Sequence, residues 1–342
     1  MAKDKNNEET TNQEEVTEEK LEAATQEPKE IPKEKTIEKR RAKFGYMFVA
    51  PMFLVFIVFS IYPILYTLYL SFTDFGGFAD PQWIGLDNYT RVWNDSNFRV
   101  SLVNTIRIWG INIVVQVGLA FLLIMIFSDL QYRFRGVKFF RILFYLPNLI
   151  AAASVALIFR LMLNRDYGIL NMILIRLNLT TSSIGWLEDT MLAQISVANI
   201  QTWMWFGNSF ILFMAAVQAV NKEVIESAVI DGAGRFQLMR HVKLPLIKPI
   251  LIYVGVTSLI GGLQLFDVPY LITDGRGAPS RSLNTVIVYL FNHAFHYHNF
   301  GYAAAIAFVL FLIVMFVSAI FVLIMKREDI REYLKKRKAA KA

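Results

Sequence analysis

The chain has 342 residues, 55% of them hydrophobic, with a mean hydropathy of +0.41 and a formal net charge of +7. The length would suit two soluble domains, but so apolar a composition points to a protein whose solvent is the bilayer. The absence of cysteine excludes disulfides and thiolate metal sites. The basic residues flank apolar runs, a placement that sets membrane topology rather than nucleic-acid binding.

Residues 1–38 hold six Lys and twelve acidic residues, a local net of −6 that leaves +13 for the rest. With almost no aromatic residues, this segment cannot bury enough apolar surface to offset its ordering entropy, and a disordered cytoplasmic tail is expected. A charged helix docking on a partner is the alternative. The segment is unlike a signal peptide, because the first apolar run is too long and too far from the start.

Lys39, Arg40, Arg41 and Lys43 precede the first expected span, about Gly45 to Phe72, and hold the N-terminus in the cytoplasm under the positive-inside rule. Thr73 to Arg99 carries four Asp against two Arg, with Trp83 and Trp93 as interfacial anchors, and reads as external. A second span follows from about Leu102 to Phe127, then a cytoplasmic loop with Arg133, Arg135, Lys138 and Arg141. The third span, about Phe139 to Leu163, contains Pro147 and Asn148, so a kink is expected there. A short interfacial helix is expected around Ile169 to Leu177 in an external segment from Asn164 to Thr190.

The fourth, fifth and sixth spans are expected at about Leu192 to Val220, Leu246 to Thr273 and Phe300 to Met325. Each is near the roughly 20 residues a bilayer requires. The chain is therefore all-α, with six transmembrane helices over 39–326, a basic tail over 327–342 and both termini cytoplasmic. Arg107 and Arg160 fall near external span ends and read as side chains that snorkel to the interface.

Between the fourth and fifth spans lies a polar, basic stretch, ESAVIDGAGRFQLMRHVKLP. Asn221 can cap a helix with Glu223 in its first turn, and Val224, Ile225, Ala228 and Val229 fall on one face. Asp231-Gly232 ends that helix, since glycine takes the left-handed conformation without steric penalty. Ala233 and Gly234 leave room for close approach, and Phe236, Met239 and Val242 form a second apolar stripe. Pro245 marks the entry to the fifth span. From periodicity alone, the stretch could equally be a hairpin packed on its own bundle.

The order Glu226, Ser227, Ala228, Gly232, Val242, Leu244, Pro245 resembles the cytoplasmic loop of permease subunits of binding-protein-dependent ABC importers: E-A-A, three residues, G, nine residues, I, one residue, L-P. Ser227 replaces the middle Ala and Val242 the Ile. The resemblance runs from about Lys43 to Lys326, and IYPILYTLYLSFTDF, IGLDNYTRVWNDSNF, RGVKFFRILFYLP, RDYGILN and LFDVPYLIT are similar to the carbohydrate-uptake branch, specifically its maltose-type first permease. It implies a type I ABC importer permease fold in the cell (cytoplasmic) membrane. It also implies a second permease of similar fold, two ATPase subunits, an extracellular solute-binding protein and a carbohydrate substrate. In that family this loop docks into a cleft on the ATPase, which implies coupling roles for Glu226, Ser227, Ala228, Asp231, Gly232, Ala233, Leu244 and Pro245. No cofactor is implied on this chain; ATP and Mg would sit on the partner ATPases, consistent with the lack of a phosphate-loop motif.

Polar groups inside spans are costly and mark a candidate pathway. Gln201, Trp205 and Asn208 share one face of the fourth span, and the fifth adds Ser258, Gly261, Gly262, Gln264 and Asp267. Amides and an indole suit a sugar's hydroxyls and apolar ring face. In relatives the sugar lies between these two helices. The same polar residues could instead hydrogen-bond neighbouring helices, and Asp267 could be structural. His293, His296 and His298 invite a metal reading, but they lack supporting ligands and read as an interface segment. A permease for glycerol phosphate or a polyol, a secondary transporter and a membrane-embedded enzyme remain as alternatives. The last two would call for internal repeats or paired catalytic groups.

Overall fold

The computed structural model describes residues 46–127 and 136–327. The segment 1–38, the cluster at 39–43, the loop residues Arg133 and Arg135, and the tail from 328 lie outside the described residues. The chain divides into two units, Met1–Leu65 and Tyr66–Ala342. The first contributes most of helix α1, Tyr46–Ser71, with apolar side chains exposed along it. Its Ile57–Ile61 turn is π-helical, just ahead of Pro63, which has no N–H to offer an α-helical ladder.

In the second unit, the segment expected only as an external loop has its own structure. Thr73–Asp74 (β1) pairs antiparallel with Gln82–Trp83 (β2), and helix α2 covers Asp87–Asn94. Asn88 ties them together, its Nδ2 donating to the carbonyls of Ser71 (3.1 Å) and Thr73 (2.8 Å).

Helices α3 (Ser96–Phe127) and α7 (Thr190–Gln218) form the most extensive pairing. Asn104, Ile108, Asn112, Gln116, Ala120 and Ile124, spaced four apart, are all buried and make one row along α3. Three of them bond to α7: Gln194 Nε2 donates to Asn104 Oδ1 (3.0 Å), Asn112 Nδ2 to Thr202 Oγ1 (3.1 Å) and Gln116 Nε2 to Ser209 Oγ (2.7 Å). Residue numbers rise together along both helices, so they run parallel. Asp189 caps α7, accepting from the amides of Met191 (2.9 Å) and Leu192 (2.8 Å).

The third span departs from a simple kink. Helix α4 (Val137–Tyr145) runs into a 3-10 turn, Leu146–Leu149, and α5 (Ala152–Met162) leaves at 92°. Pro147 ends the α-helical ladder, and Ile150 and Ala151 take extended ψ values of 135° and 132°, which turn the chain. Among the described residues, five helices are long and apolar enough to cross a membrane, or six if the bent pair counts as one span. Helix α6, Ile169–Arg176, matches the expected short helix to within a residue.

The polar stretch after α7 forms α8 (Lys222–Ile230) and a helical run over 235–246, α9, whose Leu238–Lys243 section is π-helical. Helix α10 (Lys248–Leu263) breaks before α11 (Asp267–Thr273); α12 (Val286–Phe291) and α13 (Phe300–Met325) complete the fold. Among the described residues, three apolar clusters form the core. One joins α5, α7 and α11; one joins α2, α10, α12 and α13; the third joins the C-terminal halves of α3 and α7 to α9 and α10.

Candidate functional site: a polar cavity between three helices

A cavity of about 240 Å³ lies where the three clusters meet, bordered by Ile108 from the first, Trp109 from the second and Val254 from the third. Helix α7 contributes Gln201, Trp205 and Asn208, which recur at i, i+4 and i+7. Ser258, Gly262, Gln264 and Asp267 come from α10 and the break that follows it. With Gly261 beside Gly262, all eight residues singled out in the sequence therefore line one cavity.

The side chains of Gln201, Asn208 and Gln264 are not engaged in hydrogen bonds to other described residues. The helix-to-helix bonding considered for them is made instead by Asn104, Asn112 and Gln116 of α3, whose partners on α7 are Gln194, Thr202 and Ser209. Trp109, Asn112 and Gln116 also line the cavity and were missed in the sequence. Asn112 and Gln116, one turn apart in an apolar span, were the available signal. The indole Nε1 of Trp109 is buried without a hydrogen-bond partner, a donor on the cavity's border.

The α8–α9 junction is built as its residues dictate. The Asn221 side chain accepts from the Glu223 amide (3.0 Å). At the other end, the Ala233 amide donates to the Ala228 carbonyl (2.9 Å) and that of Gly232 to Val229 (3.0 Å), the paired bonds of a Schellman cap. Gly232 has φ +84°, and a Cβ there would meet nothing within 4 Å, so backbone conformation rather than space requires glycine.

The expected apolar faces are only partly covered. Ile225 and Met239 are buried, whereas Val224, Val229 and Phe236 are exposed, Phe236 by 62%. Glu226, Ser227 and Asp231 are exposed around the cap, Ala228 and Ala233 are half-buried, and Leu244 and Pro245 lie in the last turn of α9.

Arg160 is part of an ion pair. Its guanidinium donates to both carboxylate oxygens of Asp274 (3.0 and 2.9 Å), joining α5 to the residue after α11. Those hydrogen bonds hold the Asp274 carboxyl below its ordinary value. Among the described residues, no three His, Asp or Glu converge as a metal site. His293 packs edge-on to Tyr289, while His296 lies 3.4 Å from the Tyr270 hydroxyl.

A second polar cavity, of about 600 Å³, lies where α3 begins. Asp95 on its wall accepts from the Asn97 amide (2.8 Å), from the Tyr302 hydroxyl (2.6 Å) and from the Tyr289 hydroxyl. The Arg91 guanidinium sits 4.1 Å from the Tyr302 ring centre.

Residues 98–329 match the family described as binding-protein-dependent transport system inner membrane component. The lactose transport system permease protein LacF of Rhizobium radiobacter is 32% identical over 235 residues, covering 68% of this chain and 78% of LacF. The arabinooligosaccharides transport system permease protein AraP of Bacillus subtilis (strain 168) is 30% identical over 243 residues, covering 71% of this chain and 76% of AraP. Among solved structures, a chain of a bacterial alginate ABC transporter, in complex with an alginate pentasaccharide-bound periplasmic protein, superposes with a TM-score of 0.72 at 21% identity. That match covers 85% of this chain and 96% of the other.

Proposed function

The chain belongs to the binding-protein-dependent transport system inner membrane components, and on that premise we propose that it is a permease subunit of an ATP-driven saccharide importer. The observation that carries this reading is the shared cavity. Amides, an indole and a glycine from two spans face one space, and the amides of Gln201 and Asn208 are left free of interhelical bonds. Such a lining can exchange hydrogen bonds with sugar hydroxyls and stack the apolar ring face on Trp205. The names of LacF and AraP support a saccharide cargo.

The protein resides in the cell membrane with both termini inside. The α8–α9 junction is then cytoplasmic, in keeping with Lys222, Arg235, Arg240, Lys243 and Lys248 around it. A second permease completes the pathway, two ATPase subunits bind and hydrolyse ATP with Mg, and an extracellular solute-binding protein delivers cargo. The exposed Val229, Ile230 and Phe236 flank the Schellman turn and supply an apolar contact for an ATPase. Closure of the ATPases is a rigid-body motion, and a short helix seated in each passes it to the membrane helices.

Co-purification with its ATPase and binding protein, followed by saccharide-stimulated ATP hydrolysis, tests this reading. In that complex G232D, which replaces the left-handed glycine, is expected to abolish uptake while membrane insertion persists. Normal uptake by G232D would defeat the coupling role, and failure of any ATPase to associate would defeat the assignment as a whole.

A further inference from the structure

The 600 Å³ cavity has an unusual pairing of unmet groups, and its volume lies within the range of about 300–1,000 Å³ typical of small-molecule sites. Arg91, Arg276 and Arg281 line it. Among the described residues the ion pairs are Arg160–Asp274 and Arg165–Glu188, so none of the three arginines is bridged to a carboxylate. The acid on the cavity wall, Asp95, is already held by Asn97, Tyr289 and Tyr302. Arg281 gives one N–H to Asn97 Oδ1 and keeps the rest of its fork.

The acceptors are left equally unmet. Asn284 is only 8% exposed; its Nδ2 donates to Ser101 Oγ (3.1 Å), and its Oδ1 has no partner. Asn292 Nδ2 donates to the Gly275 carbonyl (2.8 Å), and its Oδ1 is likewise unpartnered, as is Nδ1 of His293. Both amides are thus anchored through their donors, with their acceptors left over. Buried acceptors without donors are costly and are usually retained for a purpose.

A simple anion would satisfy the arginines and leave the amide oxygens unmet. A neutral saccharide would do the reverse. A polyhydroxylated molecule bearing a carboxylate meets both needs. We propose that this cavity is a recognition site for an acidic saccharide, its carboxylate held by Arg91, Arg276 and Arg281 and its hydroxyls by Asn284 and Asn292. The site is separate from the cavity between α3, α7 and α10. It rests on the transport reading only in taking a saccharide as cargo, because its occupancy is measurable without transport.

Isothermal titration of the full chain in nanodiscs tests the proposal, with trigalacturonate, neutral galactotriose and inorganic phosphate as probes. Trigalacturonate is expected to bind at least about tenfold more tightly than galactotriose, and less tightly as salt rises. The Arg276 side chain is exposed and makes no hydrogen bond to a described residue, so R276Q preserves the fold while weakening trigalacturonate about tenfold. Equal affinity for the acidic and neutral trisaccharides would overturn the proposal. Equal competition by phosphate would reduce the cavity to a plain anion site, which also overturns it. Loss of binding in Q201A but not in R276Q would move the ligand to the other cavity and refute this site, whereas failed uptake with intact R276Q-sensitive binding would count against the transport reading alone.

Discussion

The indole of Trp109 occupies the space that a side chain at Gly262 would need: a Cβ there would fall 1.9 Å from Trp109 Cδ1 and 2.8 Å from its Nε1. This contact joins α3 to α10 on the border of the polar cavity. The neighbouring Gly261 is unconstrained, with nothing within 4 Å of a built Cβ.

G262A should therefore force the whole indole aside, because the clash reaches the ring's base as well as its edge. Overpacking of this kind costs about 1–3 kcal/mol. Thermal unfolding is expected to show that loss for G262A and little change for G261A, with uptake reduced more in G262A. Equal behaviour of the two variants would contradict the packing described.

The α3–α7 bonds make a separate prediction. A double-mutant cycle on Gln116 and Ser209, truncating each to Ala, should return a coupling of about 0.6 kcal/mol, and no more than about 1.7, as for hydrogen bonds between membrane helices. The cycle is read from unfolding in a lipid-like environment. A coupling of zero would mean that the two side chains do not share a bond.

Much of this fold was legible in the sequence because the bilayer demands long apolar runs. Phe300–Met325 is helical over its expected range, and the cap at Asn221 and the end at Gly232 follow from local chemistry. The right angle after Leu149 was less legible. Pro147 announces a disturbance, but its size depends on Ile150 and Ala151 becoming extended, which hydropathy does not encode. The Arg160–Asp274 pair joins residues 114 apart, and no local pattern points from one to the other. For the cavity, the α7 and α10 faces could be read from helical spacing. The contribution of α3 could not be assigned without knowing that α3 and α7 run parallel side by side.

Stability should fall in two steps on acidification. Burial pushes His293 below its ordinary value of 6.5, with Arg91 adding to the shift and Asp95 opposing it. For Asp95, burial acts to raise the carboxyl, but hydrogen bonds from Tyr289, Tyr302 and the backbone outweigh it, and it sits below 3.8. Both groups bind protons more weakly when folded than when unfolded. Their contributions are therefore complete above 6.5 and 3.8 respectively, and are lost as pH falls through the lowered folded values. Denaturation midpoints across this range should lose the upper step in H293Q and the lower one in D95N. A midpoint that rises on acidification would contradict the sign.

The central claim is that saccharide passes the cavity between α3, α7 and α10 under the drive of a partner ATPase. Its most direct test is ATP-dependent uptake of a labelled oligosaccharide into proteoliposomes that contain the chain with its partner permease, ATPases and binding protein, comparing the wild type with Q201A/N208A. Each side chain offers one to two hydrogen bonds to cargo, worth about 1 kcal/mol apiece, so uptake at subsaturating cargo should fall by roughly tenfold or more while the complex still assembles. Uptake by Q201A/N208A at the wild-type rate would contradict the account.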